Sequence, residues 1–281
     1  MPGADGHYAD MTADTTGARP GQQIMIATVP NLRDLGGWPT PDRHVRYGLL
    51  FRSAEFSNLQ GDDAAAFARL GIRSVYDMRT QAERAKQPNQ LPPGIEYVVL
   101  DILKDSSQAG AAQLLAVLGD PKAAEAMLGG GKALALFEQS YREIVSLPSA
   151  LAGYRQFFSA IAGQEHTPAV FHCMAGKDRT GWAAAASLLL LGVSNHDVFA
   201  DYLLTNDQLL PALQPVLDQF RSIGGDPDLL KPVVGVQKEY LETAIGEMQK
   251  RYKTIDGYFS QGLALNTATI DKLRAKLTER S

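Results

Sequence analysis

The sequence predicts an α/β fold, a central and largely parallel sheet flanked by helices on both faces, on three observations. Short strand-like runs alternate with Ala/Leu-rich helical stretches, the pattern of parallel strands joined by crossover helices. One unit, residues 168–191, has the form strand, tight loop, helix. Apolar residues make up 45% of the 281, enough for a sizeable core and too many for disorder. The length suits one domain with insertions, residues 23–281, behind a flexible extension over 1–22.

The extension is Gly-, Thr-, Ala- and Asp-rich and shows no periodicity. Residues 24–27 are strand-like, and 31–38 form a polar turn closed by Gly36 and Gly37. Residues 47–54 read as the next strand and its exit. Residues 62–70, with acids at the start and Gly71 at the end, are a well-signalled helix. Residues 72–78 alternate as a strand and end in Asp77-Met78-Arg79, at the sheet edge where α/β folds bind ligands. Residues 95–100 are a further strand, entered through Pro92-Pro93-Gly94. From 101 to about 147 no strand signal appears; 113–118 and 121–128 are helical pieces, and amphipathic helices follow over 133–146 and 150–162. Residues 168–171 are a buried strand and 182–191 a buried helix. Apolar spacing over 206–246, broken at Gly224-Gly225-Asp226-Pro227, predicts two helices joined as a hairpin.

The chemistry concentrates between the strand at 168–171 and the helix after it. Cys173, the only cysteine, is followed six positions on by Arg179, with Met174, Ala175, Gly176, Lys177 and Asp178 between them. Such a loop gathers its backbone N–H groups at a helix N-terminus, which carries partial positive charge and binds anions, phosphate above all. A thiol placed there becomes a nucleophile, because the helix end and nearby cations favour thiolate over thiol. Arg179 offers a planar fork that takes two phosphate oxygens at once, which lysine cannot copy. Gly176 and Gly181 allow the loop to close tightly. Thr180 can donate its hydroxyl to the sulfur or the loop, and His172 is expected to buttress the loop by hydrogen bonding. A nucleotide-binding loop is excluded, since Asp178 follows Gly176-Lys177 and Ala133 follows Gly131-Lys132, where Ser or Thr is needed.

Composition narrows the classes further. A single cysteine excludes intramolecular disulfides, and a formal charge of −4 argues against general nucleic-acid binding. The first residues carry Asp5, Asp10 and Asp14 without an apolar core, so no classical signal peptide is read, and no apolar run is long enough to span a bilayer. The expected location is cytoplasmic, or outside the cell by a route without such a signal. The five histidines (His7, His44, His166, His172 and His196) lack metal-ligand spacing, and no cofactor is expected.

His172-Cys173 through Arg179-Thr180-Gly181 resembles the signature of the cysteine-dependent phosphatases of the protein tyrosine phosphatase superfamily. With Gly176-Lys177-Asp178 included, it resembles the atypical bacterial branch typified by the mycobacterial enzymes, and also the loop of a phosphoinositide 3-phosphatase tumour suppressor. Further blocks resemble the same branch: Asn31, Arg33, Asp34, Gly36 and Gly37; Phe51 to Glu55; Asp77-Met78-Arg79; 201–207; and 234–241. Without the resemblance, Arg33-Asp34 reads equally well as a surface pair. The resemblance implies a tyrosine-phosphatase-like fold and a helical lid over the site at about 206–246.

It also implies a two-step phosphomonoester hydrolysis through a phosphocysteine, with Cys173 as nucleophile and Arg179 and the loop amides holding the phosphate oxygens. Asp101, Asp105 and Asp178 stand as equal candidates for the proton donor, and His172, Thr180, Arg79 and Asp77 as supporting residues. Implied substrates are phosphotyrosine proteins, with phosphoserine and phosphothreonine in reach, and phosphoinositides, with transient membrane-surface contact. Lys177 beside Arg179 suits polyanionic lipids; alternatively Lys177 only neutralises Asp178. Two other classes are carried: a phosphate-binding pseudophosphatase that docks phosphorylated partners, and a rhodanese-like sulfurtransferase. An inactive docking module would be expected to have lost the nucleophile or the arginine, and both are present.

Overall fold

The computed structural model describes residues 19–106, 119–163 and 165–280. The expected extension, apart from residues 19–22, and the helical piece expected at 113–118 lie outside the described residues. Seven strands occur among those described: β1 (Arg33–Asp34), β2 (Arg43–Val45), β3 (Leu50–Ser53), β4 (Ser74–Asp77), β5 (Glu96–Val99), β6 (Ala169–His172) and β7 (Thr278–Arg280). The main sheet has the order β1-β3-β6-β4-β5, antiparallel only between β1 and β3, while β2 and β7 form a separate antiparallel pair.

β6 lies at the centre, and all of its residues are buried, as a near-continuous apolar run in a parallel sheet requires. Its alternate side chains feed two cores. Val170 joins Phe51, Val75 and Phe67 on one face, where α1 (Gly61–Ala68) covers the sheet. Ala169 and Phe171 join Tyr76 on the other. There Phe157 of α5 (Pro148–Ala162) sets its ring 5.0 Å from Phe171 and 5.1 Å from Tyr76. The register puts Ser53, His172 and Asp77 level at the carboxyl ends of β3, β6 and β4.

The remaining α-helices among the described residues are α2 (Gln81–Lys86), α3 (Pro121–Leu128), α4 (Lys132–Ser146), α6 (Arg179–Leu190), α7 (Asn195–Ser222), α8 (Lys231–Val234), α9 (Lys238–Tyr252), α10 (Ile255–Gly257) and α11 (Thr267–Leu277). None of the described helices is long and apolar enough to cross a membrane.

Two expectations differ from the structure. Residues 24–27 form no strand: Gln23 alone bridges to Arg33, and Ile24 N–H donates to Leu32 O at 2.8 Å. β1 is too short to extend a ladder, so Ile26, Val29 and Leu32 turn into the second core instead. The hairpin over 206–246 is not two helices meeting at a turn. Its first arm is part of α7, continuous from Asn195 through Pro211 and Pro215. After Gly224 (φ +87°) comes a 3₁₀ turn, Pro227–Leu229, then α8, and the chain leaves helix again at Gly235. Asn206 holds that break, accepting from Val236 N–H (2.8 Å) and donating to Val236 O (3.0 Å). α9 then packs its Tyr240, Leu241, Ala244 and Met248 into the main core, whereas Leu217, Phe220 and Leu230 form a satellite cluster with Ala124, Leu128 and Ala133.

Candidate active site

The loop 173–178 leaves β6 and enters α6. Cys173 is buried, at 2% exposure. No side chain caps the N-terminus of α6, so its first amide groups keep the partial positive charge of a helix end for a ligand. The loop is folded back on itself from several sides. Gly176 has φ +65°, and a Cβ there would lie 2.2 Å from Ser53 O, so only glycine fits. Asn31 Nδ2 donates to Ala175 O (3.2 Å) and Gly176 O (2.9 Å), and Arg52 Nη2 to Gly176 O (2.8 Å). Glu55 N–H donates to Met174 O at 3.1 Å. With these carbonyls engaged on the outside, the loop N–H groups are turned inward, the arrangement that cradles a phosphate.

Arg179 is nearly buried and gripped by Glu83 of α2 at 2.7 Å through both Nη atoms, with Nη1 also donating to Met78 O (3.2 Å). Of its five N–H donors this leaves Nε–H and one on Nη2, the side edge of the guanidinium, which matches two oxygens of a phosphate. Glu83 is itself fixed in a capping box with Thr80. Burial pushes the Glu83 carboxyl up, but the hydrogen bonds and charge of Arg179 outweigh it and hold it at about 2. Burial likewise disfavours the Arg179 cation, and the bonds and charge of Glu83 reverse that, so its value is raised.

His172 buttresses the loop from below. Its Nδ1 lies 2.9 Å from Cys173 O, and Asn89 Nδ2 lies 3.0 Å from its Nε2. Asn89 can only donate there, so Nε2 is the acceptor and Nδ1 carries the proton. Burial pushes the ring down to about 4, neutral at pH 7. Asp77 takes both Nε and Nη2 of Arg79 and the Tyr97 hydroxyl (2.6 Å). Burial raises its carboxyl, and His172, Arg79 and Tyr97 together draw it to about 2. Arg79 is fully buried, spending its other donors on Gln87 O and Asn89 Oδ1, and so acts as scaffold beneath the loop. Thr180 Oγ1 is buried and finds no partner among the described residues, so the hydrogen bond expected of it is not made.

The three candidate acids are separated. Asp178 Oδ1 accepts from Tyr141 Oη (2.8 Å) and Lys177 Nζ (3.1 Å). Asp105 accepts from Ser149 N–H (2.8 Å) and serves the first turn of α5. Asp101 Oδ2 accepts from Gln81 N–H (3.2 Å), on the same α2 turn as Glu83, and its Oδ1 is buried with no partner among the described residues. Lys177 is 6% exposed: its ammonium also donates to Gly235 O (3.0 Å) and sits 4.4 Å from the Phe137 ring centroid.

Sequence reasoning missed Glu83, Tyr141 and Asn89, and it gave Asn31, Arg52 and Asp201, which lie in blocks that resemble the family, no role in the site. Thr80-x-x-Glu83 carried a readable capping signal, but nothing local tied it to Arg179. Arg33, read equally well as half of a surface pair, is fully buried against Asp201, with Nε–Oδ1 at 2.9 Å.

Comparison with known proteins places the whole chain. The family described as "Tyrosine phosphatase family" matches residues 24–279. A protein of Cupriavidus necator named for tyrosine-protein phosphatase activity is 28% identical over 88% of this chain and 86% of its own. Mycobacterium tuberculosis PtpB, named a triple specificity protein phosphatase, is 28% identical over 88% of this chain and 96% of its own. The crystal structure of P. aeruginosa TpbA aligns at 16% identity and a TM-score of 0.29, covering 71% of this chain and 95% of that one, too loosely to compare sites. Matched by the family along nearly all of its described length, and by two bacterial phosphatases over most of theirs, the chain belongs to the tyrosine phosphatase family.

Proposed function

We propose that the protein hydrolyses phosphotyrosine in proteins through a phosphocysteine, with phosphoserine, phosphothreonine and phosphoinositides as further substrates. The observation that carries the proposal is one short loop that starts at buried Cys173 and ends at the uncapped N-terminus of α6, whose first residue, Arg179, keeps two guanidinium donors unspent. The Cys173 thiolate attacks phosphorus, the S–P bond forms and the P–O ester bond breaks; the leaving oxygen takes a proton from a carboxylic acid. Water then attacks phosphorus, the S–P bond breaks, and inorganic phosphate and the thiolate are released. Arg179 and the loop amides hold the equatorial oxygens as charge develops.

For the proton we assign Asp101. Asp105 is tied to the first turn of α5 and Asp178 Oδ1 to Tyr141 and Lys177, whereas Asp101 stands on the α2 turn that holds Arg179 through Glu83. The triple-specificity name of the mycobacterial relative supports a range beyond phosphotyrosine. To read the additional phosphate groups of a phosphoinositide, Lys177 would have to leave Gly235 and Asp178. A lid is proposed in a narrower form than 206–246, as the distal half of α7 through α8, because α9 belongs to the core.

The test is turnover of para-nitrophenyl phosphate. Cys173→Ser should abolish it while phosphate binding survives, and Arg179→Lys should lose most of it despite keeping the charge. A parent protein that binds phosphate but turns nothing over would establish the pseudophosphatase reading. Activity beyond a trace in Cys173→Ser would overturn the covalent route.

A further inference from the structure

Two arginines and one asparagine from the N-terminal segment form a bracket beneath the loop that no step of the reaction above uses. Arg33 and Arg52 are direct partners across β1 and β3, both fully buried. Like charges in that position repel, and a single carboxylate joins them: Asp201 of α7 accepts from Arg33 Nε (2.9 Å) and Arg52 Nη1 (2.7 Å). Arg33 also donates to Asp201 O (2.7 Å) and, through Nη1, to Asn31 Oδ1. That last bond fixes the amide of Asn31: with Oδ1 facing Arg33, Nδ2 must face the loop, where it meets Ala175 O and Gly176 O. The other arm runs from Asp201 through Arg52 to the same Gly176 carbonyl. Asn31 holds φ +60°, a conformation that asparagine tolerates better than most residues.

We infer that Asn31 and Arg52 are positioning residues of the phosphate loop, fixed by Arg33 and Asp201, which hold the Ala175 and Gly176 carbonyls outward so that the loop amides point at the phosphate. Neither residue touches the reacting atoms; each acts through the peptide units it holds. The bracket also carries two buried positive charges against one negative. A buried charge left without a partner is costly, and an anion bound in the adjoining loop would offset it. Both features lower the energy of the loop most when the phosphorus carries its full set of equatorial oxygens. The effect is therefore larger on the transition state than on the bound substrate.

The inference rests on reading the loop as a phosphate site, and the experiment separates the two. Asn31→Asp is the decisive variant. Aspartate keeps the acceptor for Arg33, tolerates the same backbone, and balances the charge of the cluster, but it has no N–H to give to the loop carbonyls. Orthovanadate and inorganic phosphate affinities, kcat and KM for para-nitrophenyl phosphate, and the thermal midpoint are measured for the parent and for Asn31→Asp. The expected result is a loss of about tenfold or more in kcat and in vanadate affinity, a smaller loss in phosphate affinity, and a thermal midpoint close to that of the parent. Arg52→Lys, which keeps the charge but cannot serve Asp201 and Gly176 O in one fixed fork, should repeat the kinetic pattern if Asn31→Asp fails to fold. Vanadate affinity within twofold of the parent in a folded variant, or activity lost only in proportion to unfolded protein, overturns the inference. A parent that binds vanadate without turnover would overturn the proposed enzymatic function instead, and the affinity comparison would still decide this one.

Discussion

Arg179 and Glu83 meet fork to fork, with both Nη–Oε distances at 2.7 Å, and this pair decides which edge of the guanidinium is left free for a ligand. Glu83 itself is anchored to Thr80 N–H (2.7 Å) and Thr80 Oγ1 (2.9 Å), so the orientation is imposed by the first turn of α2 rather than by the loop. Glu83→Gln should keep the shape but loosen the fork, lowering kcat/KM by about tenfold or more. The same change has a pH signature. The folded carboxyl at about 2 lies below its ordinary 4.5, so its contribution is complete above 4.5 and is lost as pH falls toward 2. Thermal midpoints of the parent should fall over that window, and those of Glu83→Gln should fall less. Parallel curves would mean that the pair does not stabilise the fold.

His172 gives a second acid-sensitive element in a different window. Its folded value of about 4 lies below the ordinary 6.5, so the unfolded chain binds the extra proton first. Stability tied to the neutral ring is complete above 6.5 and declines as pH falls through 4, by roughly 3 kcal/mol in all. His172→Gln should be less stable at pH 7, having lost the ring that packs edge-on to Phe56, and should show a shallower decline between 6.5 and 4. An undiminished slope there would assign the acid sensitivity elsewhere.

The proton donor is decided by leaving-group dependence. Asp101→Asn should slow hydrolysis of phosphotyrosine peptides, whose phenoxide needs a proton, far more than that of an activated aryl ester with an acidic leaving group. Asp178→Asn should lower both alike, because it loosens Tyr141 and Lys177 rather than removing a proton. Asp105→Asn should cost stability at the start of α5 and little rate. If Asp178→Asn instead shows the leaving-group pattern, the assignment moves to Asp178.

How much of this was legible follows from how local each signal is. The β6–loop–α6 unit is contiguous, so its strand, its glycines, its cysteine and its arginine could be read from one short stretch. Gly176 was readable because its positive φ needs no knowledge of the neighbour it meets, Ser53 O. Arg33 was not, since a charged residue beside Asp34 looks solvated until Asp201, far along the chain, is brought against it. Glu83 failed for the same reason, and of Lys177 only the pair with its neighbour Asp178 was readable, since its other partner, Gly235 O, lies in the break between α8 and α9. That break was missed because helical spacing continues across it, and what ends the helix is the Asn206 side chain binding Val236.

Lys177 offers a direct test of substrate range. Held by Asp178, Gly235 O and the Phe137 face, it sits in a neutralised niche, not at the mouth of the site. If it is released to read additional phosphates, Lys177→Ala should depress phosphoinositide hydrolysis much more than phosphotyrosine-peptide hydrolysis. Equal losses on the two substrates, measured by phosphate release, would confine the lysine to balancing Asp178 and bracing the segment at Gly235.

The last prediction concerns access to Cys173. Leu217, Phe220 and Leu230 pack against α3 and the start of α4 rather than into the main core, so the distal half of α7 and α8 can loosen without disturbing the sheet. Gly235 and Val236, at the end of that segment, are the points where it is tied to Lys177 and Asn206. Truncating Leu217 and Phe220 to alanine removes most of the apolar contact holding the segment down, at a cost typical of buried large-to-small changes, roughly 2–5 kcal/mol for each such side chain. If the segment is a lid, the double variant exposes the thiolate more often, and peroxide should inactivate it several-fold faster than the parent. Activity on phosphoprotein substrates should rise relative to para-nitrophenyl phosphate, since only the larger substrate waits for opening. A folded double variant with the parent's peroxide sensitivity and the parent's substrate ratio would make the segment scaffold.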